Sequence, residues 1–316
     1  MRRLLLQLLL LLGGVGLVAG AALAWTIRQP YLDAFYARFT TPPAASLVLG
    51  TSRAAQAVRP DVLRARLGGQ YEGPWLNYAF TLTHSPFGPT YLASIGRKLT
   101  PGTCHGLFVV AVDPWSLSLP KEWLRKWPDG GSFPEDAYML SQVHEVSQNP
   151  NWQYLRSQLT SPYYRLLLRG KFGNPEYLHP DGWLEVGLPS PLADPARQQR
   201  REAGKLASYR QTAATSALAP ARLASLRALL ALLQTHGRVV LTRLPTGPLM
   251  AALEADYAPD FDQRMAQLSA DFHVPYLNYL HESYLTNDGN HLWRGETERF
   301  SERLAADIGA SEEVRR

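Results

Sequence analysis

The chain has 316 residues, 46% of them hydrophobic, a formal net charge of +5 and a single cysteine, Cys104. This composition is typical of a globular protein that buries a sizeable core, and it excludes an intramolecular disulfide and a cysteine-rich metal site. Nucleic acid is not an expected partner, because the charge is modest and no nucleic-acid-binding motif occurs. A cluster of basic residues indicates a solvated face near anionic lipid or polymer: Arg197, Arg200, Arg201, Lys205 and Arg210.

The amino terminus carries an apolar run, Leu4 to Ala24, that contains no charge and is long enough to cross a bilayer. Ala22-Leu23-Ala24 also fits a signal-peptide cleavage site, but the run exceeds the usual length of a signal-peptide core, which favours an uncleaved anchor. Arg2 and Arg3 favour a cytoplasmic amino terminus. Residues 1–27 are therefore predicted to be a single-pass anchor in the inner (cytoplasmic) membrane, with the main domain on the extracytoplasmic, periplasmic side.

Residues 28–45 are predicted to be a tether that ends at Pro42-Pro43, because proline stops any earlier helix. Beyond it, apolar strand candidates alternate with helical stretches, an order typical of a parallel α/β sheet. The predicted elements are a strand at 47–49, a helix at 60–67, a strand at 75–79, a helix at 85–99 and a strand at 107–112.

The alternation stops at Asp113-Pro114 and resumes near Pro220, which predicts an insertion at about 115–219. Its many aromatic residues either supply stacking platforms for sugar or acyl ligands or pack a small irregular subdomain. They are Trp115, Trp123, Trp127, Trp152, Trp183, Tyr138, Tyr154, Tyr163, Tyr164 and Tyr177.

The remaining chain continues the α/β pattern. The predicted elements are a helix from about 220, a strand at 238–245, a helix around 249–269, a strand at 274–279, a polar loop at 287–291 and a last helix. Phe300, Leu304 and Ile308 give that helix an apolar stripe. Residues 46–316 are therefore predicted to form one α/β domain around a central parallel sheet of about five strands.

Residues that directly follow the strands are candidates for a site, because ligands of doubly wound sheets bind beyond the carboxyl ends of the strands. Ser52 follows the first strand, while Asp288 and His291 lie in the late polar loop. A serine nucleophile needs a base within roughly 2.6 to 3.2 Å and a group that orients this base, roles that fit His291 and Asp288. Alternatively, Ser52 caps the next helix and the other two are ordinary loop residues.

Two short motifs together give the chain a family resemblance. Gly50-Thr51-Ser52 after the first strand and Asp288-Gly289-Asn290-His291 near the end resemble the SGNH, or GDSL-like, hydrolase superfamily, over roughly residues 46 to 309. The resemblance implies a three-layer, flavodoxin-like sandwich in which Ser52 is the nucleophile, His291 the base and Asp288 its partner.

The chain departs from the family pattern at two of its blocks. Thr51 stands where the family usually has Asp, and "VVAVDPWS" lacks the Gly-x-Asn-Asp of the third block. The candidate oxyanion donors are the backbone amides of Ser52 and Ala79 or the side-chain amide of Asn77.

Three charged residues near the strand ends are further candidates. Arg53 and Arg243 either hold an anionic substrate group or form internal salt bridges. Asp113 orients the loops of the site, pairs with one of these arginines, or simply begins the turn that Pro114 enforces. Neither a cofactor nor a metal is expected, because no glycine-rich phosphate loop follows a strand and no His-Glu-x-x-His motif occurs.

The sequence therefore predicts an extracytoplasmic serine esterase or O-acyltransferase that works through an acyl-serine intermediate. Membrane-anchored proteins of the superfamily that resemble this chain move acyl groups onto cell-envelope polymers, which implies an envelope polysaccharide or an acyl donor as partner, besides the bilayer. The alternative is a catalytically inactive SGNH-like protein that binds envelope glycan or scaffolds a membrane acyltransferase, and the missing third block favours it.

Overall fold

The computed structural model describes residues 1–26, 34–128, 130–157 and 176–313. The first helix, α1 (Arg2–Thr26), contains a window of mean hydropathy 2.3, and none of this window is buried against the residues that the structure describes. It is long and apolar enough to cross a membrane. A signal sequence near the amino terminus can have the same length and composition. The predicted apolar helix is thus present, and residues 28–33 of the predicted tether lie outside the described residues.

The end of the predicted tether is part of the folded body. Helix α2 (Tyr36–Thr40) buries Phe39 completely, and Tyr36 packs edge-on against Tyr154 with ring centroids 5.3 Å apart. The buried Arg38 donates to the carbonyl oxygens of Asn77 (2.9 Å) and Gly182 (2.6 Å). These aromatic side chains and buried hydrogen bonds attach residues 34–45 to the domain.

A five-stranded parallel sheet forms the centre of the domain. Its strands are β1 (Ser46–Leu49), β2 (Trp75–Asn77), β3 (Gly106–Ala111), β8 (Gly237–Arg243) and β9 (Tyr276–Asn278), and four short strands outside this sheet come between β3 and β8 in the chain. The spatial order is β2-β1-β3-β8-β9, which is the 2-1-3-4-5 order of flavodoxin-like folds when only the strands of this sheet are counted. The prediction of an α/β fold with about five parallel strands is confirmed.

Helices cover both faces of this sheet, so β1 and β3 are buried throughout. Alternate residues along each strand point to opposite faces. Leu47, Leu49, Phe108 and Val110 pack with α5 (Pro89–Lys98), α10 (Pro220–Gln234) and α12 (Phe261–Phe272). Val48, Leu107, Val109 and Val240 pack on the other face with α3 (Ser52–Ala57), α4 (Pro60–Leu67) and α13 (Thr297–Glu313). The result is a three-layer sandwich.

Proline sets two helix boundaries that the sequence pattern placed differently. The helix predicted at 85–99 begins only at Pro89, the first residue of α5. The helix predicted at 249–269 is two helices, α11 (Pro248–Tyr257) and α12, because Pro259 lies between them and cannot donate a helical hydrogen bond.

The described residues of the segment between β3 and α10 form several short elements and the long helix α9 (Pro195–Thr215). Strands β4 (Ser118–Pro120) and β7 (Ser216–Leu218) pair antiparallel, so the segment leaves and rejoins the body at neighbouring positions. Strands β5 (Glu176–Leu178) and β6 (Leu184–Val186) form a second small pair. Outside residues 158–175, the helices of this segment are α6 (Lys121–Lys126), α7 (Met139–Gln142), α8 (Trp152–Ser157) and α9 (Pro195–Thr215).

The aromatic residues of this segment divide between packing and exposure. Trp115, Tyr154 and Trp183 are buried, whereas Trp127, Tyr138 and Trp152 are exposed. Tyr163 and Tyr164 lie outside the described residues. The buried aromatic residues pack the protein interior, as one of the two predicted uses requires. The exposed ones are accessible for stacking against a ligand, which is the other predicted use.

The half-buried His84 predicts a pH-dependent stability. Its ring lies 5.0 Å from that of Phe35 and its Nδ1 is 2.6 Å from Thr81 Oγ1, and burial lowers its pKa to about 4. An unfolded histidine titrates near 6.5, so the unfolded state binds more protons between pH 4 and 6.5. The free energy of unfolding should therefore fall by on the order of 2 kcal/mol as pH drops through this window.

Urea unfolding of the full chain in detergent at several pH values measures this slope. The variant His84→Gln should flatten it, and the exposed His144→Gln is the matched control that should not. An unchanged slope in His84→Gln would show that other groups carry the dependence.

Candidate active site

Ser52 is presented at the end of β1 by a sharp turn. Gly50 has a φ of 137°, and a Cβ at this position would lie 2.8 Å from the carbonyl oxygen of Ala111 on the adjacent strand. Only glycine accommodates both the backbone conformation and the close approach. Thr51 is extended and Ser52 is the first residue of α3. The turn thus places the serine hydroxyl beyond the carboxyl edge of the sheet, beside the switch point between β1 and β3.

The structure brings the three predicted site residues together. Ser52 Oγ lies 2.9 Å from His291 Nε2. On the other side of the imidazole, His291 Nδ1 lies 3.0 Å from Asp288 Oδ2 and 3.1 Å from Asp288 Oδ1. These separations fall within the range that a serine, its base and the group orienting that base require.

The Asp288 carboxylate also holds the shape of its own loop. Its Oδ1 accepts hydrogen bonds from the backbone N–H groups of Asn290 (3.0 Å) and His291 (2.9 Å). Lys205 Nζ from α9 lies 3.3 Å from Oδ2. Burial raises the pKa of Asp288, but the attraction of a protonated His291, its hydrogen bonds and the Lys205 charge outweigh burial and hold this pKa well below its usual range. Asp288 is therefore ionised at neutral pH.

The helix-capping alternative for Ser52 can be compared with the observed contacts. Thr51, not Ser52, occupies the N-cap position of α3, and its side chain makes no capping hydrogen bond. The Thr51 hydroxyl lies 3.4 Å from Asp113 Oδ2, and the Ser52 hydroxyl is directed to His291. The serine side chain is thus used by the histidine contact rather than by a helix cap.

A buried ionic network lies beneath the serine. Glu254 of α11 is fully buried and contacts Arg53 (Nη2 to Oε1, 2.5 Å) and Arg243 (Nη2 to Oε2, 2.8 Å). Trp115 Nε1 donates to Glu254 Oε1 at 2.7 Å, and Arg243 also contacts Asp262 at 2.6 Å. Arg53 and Arg243 were predicted either to hold an anionic substrate group or to form internal salt bridges. In the structure both form internal salt bridges. Burial raises the pKa of Glu254, but the two arginine charges outweigh it and lower this pKa.

Arg53 joins this network to the histidine loop. Its Nε and Nη2 both donate to Asn290 Oδ1, at 2.9 and 2.6 Å. Asn290 Nδ2 in turn lies 3.3 Å from His291 Nε2. Arg53 therefore connects the helix that carries Ser52 to the loop that carries His291, and it fixes their relative position.

The other predicted site residues have structural partners. Asn77 Nδ2 donates to the carbonyl oxygens of Ala54 (2.8 Å) and Val58 (2.9 Å), and the Ala79 backbone N–H donates to Asn77 Oδ1 at 3.1 Å. These bonds use both amide protons of Asn77 and the N–H of Ala79. In this arrangement neither residue has a proton left for an oxyanion.

Asp113 forms a turn with Ser116, whose backbone N–H donates to its Oδ1 at 2.7 Å. Burial raises the pKa of Asp113 and the nearby Arg53 charge opposes this rise, but no direct ion pair joins Asp113 to either arginine in the part of the chain that the structure describes. Of the three roles predicted for Asp113, the turn and the orientation of the Ser52 loop have direct hydrogen bonds, the latter through the Thr51 hydroxyl.

Sequence reasoning missed several residues of the site because their signals are weak. Glu254 lies within an ordinary helical pattern, and nothing local marks it as the partner of two arginines about 200 and 11 residues away. For Asn290, which contacts Arg53, the signal in the sequence is its position next to His291. Tyr209, whose hydroxyl is 3.5 Å from Asn290 Nδ2, and Lys205 come from the insertion.

Comparison of the chain with protein-family models, curated proteins and solved structures gave no match. The fold and the site together define the class: a flavodoxin-like α/β protein with a Ser-His-Asp arrangement at the carboxyl edge of its sheet.

Proposed function

We propose that this protein is a serine esterase or O-acyltransferase of the SGNH-like type, with Ser52 as nucleophile. The observation that carries the proposal is the 2.9 Å separation of Ser52 Oγ and His291 Nε2, with Asp288 on the opposite ring nitrogen. A serine is a poor nucleophile without such a base, and this arrangement supplies the base together with the carboxylate that orients it.

The reaction follows from this arrangement. His291 Nε2 accepts the Ser52 proton as Oγ attacks an ester carbonyl, and Asp288 stabilises the imidazolium that forms. The protonated imidazole then gives this proton to the leaving alkoxide as the ester bond breaks, which leaves an acyl-serine. Water or a hydroxyl of an acceptor, deprotonated by His291, then attacks the acyl carbon. The bond to Ser52 Oγ breaks, the imidazolium returns the proton to Oγ, and the acid or the new ester is released.

The developing oxyanion needs donors near Ser52. The backbone N–H of Ser52 is one, because the first N–H groups of a helix have no partner within the helix and attract negative charge. Asn77 or Ala79 could add a second donor only if its present hydrogen bonds opened. The amide protons of Asn77 and Ala79 are already used in hydrogen bonds within the protein, and this observation favours a second candidate function. In that alternative the chain is an inactive SGNH-like protein that binds glycan or scaffolds a membrane acyltransferase.

The proposed setting is the cell envelope. With α1 as an uncleaved anchor whose amino terminus is cytoplasmic, the α/β domain lies on the extracytoplasmic face of the inner membrane. A serine enzyme held there would act on acylated polysaccharide or a similar ester of the envelope.

Labelling with a fluorophosphonate tests the proposal, because this reagent modifies an activated serine. The full chain in detergent should become labelled, the variant Ser52→Ala should not, and the exposed Ser283→Ala should label like the parent protein. Absence of labelling in the folded parent protein, or labelling that survives in Ser52→Ala, would contradict Ser52 as nucleophile and favour the inactive alternative.

A further inference from the structure

Helix α9 of the insertion lies against the loop that carries Asp288 and His291. Gln198 Nε2 donates to the Thr286 carbonyl oxygen at 2.8 Å, and Lys205 Nζ is 3.3 Å from Asp288 Oδ2. The side chain of Glu202 lies next to Gly289. These contacts hold one face of α9 against the loop that carries Asp288 and His291, and they thereby place the helix beside the candidate active site.

Arg197, Arg201 and Lys205, which we term the basic row, share one side of this helix. Residues four apart on an α-helix are neighbours, about 6 Å apart along the axis. The basic row therefore extends over about 12 Å and ends at Lys205, which contacts the candidate catalytic aspartate. The positively charged side chains of the basic row thus form a line along α9 that ends beside the candidate active site.

The two arginines of the basic row are available to a ligand. Arg197 is exposed and Arg201 is half-exposed, and among the residues that the structure describes neither has an ion-pair partner. The two arginines of the buried network differ in this respect, since Arg53 and Arg243 are buried and paired with Glu254. Glu202 is the one acidic residue within α9, and it accepts a hydrogen bond from Gln198.

We propose that the basic row binds the anionic groups of a polymer chain whose acylated unit is held at Ser52. This inference rests on the proposed function and adds to it the substrate class: an ester on a polyanion with negative charges on successive units. Several cations in line beside a nucleophile attract such a chain and favour its alignment along α9.

The exposed composition of α9 favours a polymer over a membrane surface as the occupant. Helices that lie in the membrane interface pair their basic residues with a face of large apolar side chains. The exposed side chains of α9 are small or polar, as in Gln199, Ala203, Gly204, Ala207 and Ser208. The helix therefore presents positive charge that can bind an anion, but it has no exposed apolar face that could enter a bilayer.

Binding measured without catalysis tests the inference. Full-length Ser52→Ala protein in detergent is titrated with hexagalacturonate and with a neutral dextran oligosaccharide of equal length. We expect only hexagalacturonate to bind, with affinity that falls as salt rises. Adding Arg197→Ala and Arg201→Ala should raise its Kd about tenfold and flatten the salt dependence. Lys205 is left intact because it also contacts Asp288.

The matched control removes the same charge elsewhere. Arg64→Ala and Arg125→Ala on α4 and α6 should leave the Kd unchanged, since both residues are exposed and lie on other helices. Equal losses in the two double variants, equal binding of dextran, or binding to anionic vesicles but not to hexagalacturonate would each overturn the inference. If fluorophosphonate labels Ser52 but hexagalacturonate does not bind, only this inference is contradicted. If hexagalacturonate binds but Ser52 is not labelled, only the proposed catalysis is contradicted.

Discussion

Replacing Asp288 with Asn is expected to lower kcat/KM for hydrolysis of p-nitrophenyl acetate by about 10³- to 10⁴-fold. Asp288 accepts a hydrogen bond from the Nδ1–H group of His291, which leaves Nε2 unprotonated and able to accept the proton of Ser52. An amide at this position can present its N–H₂ group to Nδ1 and so favour the opposite tautomer. It also lacks the charge that stabilises the imidazolium.

Steady-state kinetics of the full chain in detergent measure this effect. The exposed Asp256→Asn is the control for loss of one carboxylate, and it should retain parent activity. Circular dichroism verifies that Asp288→Asn remains folded. A loss of less than tenfold in a folded Asp288→Asn protein would contradict the role assigned to this carboxylate.

Replacing Glu254 with Gln is expected to reduce the free energy of unfolding by about 3–5 kcal/mol, because removal of one partner leaves buried charge uncompensated. Glu254 is fully buried between Arg53 and Arg243, and a neutral amide directs its N–H₂ group toward at least one of them. Arg53 also holds Asn290, so the same substitution should loosen the His291 loop and lower kcat.

A second buried ion pair provides the matched control for this effect. Glu135 forms a bidentate contact with Arg222, and both residues are fully buried away from Ser52. Glu135→Gln should destabilise the protein comparably in urea unfolding but leave kcat unchanged at a temperature where it is folded. If Glu254→Gln changes neither stability nor kcat, the network has no positioning role.

The sequence predicted the sheet well because parallel strands leave a local signal. Apolar runs such as Leu107–Val112 reflect burial on both faces, and the helices between them have their own apolar period. The limits of helices were less predictable where proline intervenes, as at Pro89 and Pro259. The folding of residues 34–45 onto the body was missed because Arg38 finds its partners at Asn77 and Gly182, far along the chain.

By itself the sequence determined the kinds of element, the apolar amino-terminal helix and three candidate residues for a serine site, since these depend on local composition and on short motifs. Only the tertiary structure decided that Ser52 and His291, 239 residues apart, lie within hydrogen-bond distance. It likewise assigned Arg53 and Arg243 to Glu254, and placed Lys205 of the insertion beside Asp288. Contacts of this kind depend on how distant segments pack, and no local pattern records them.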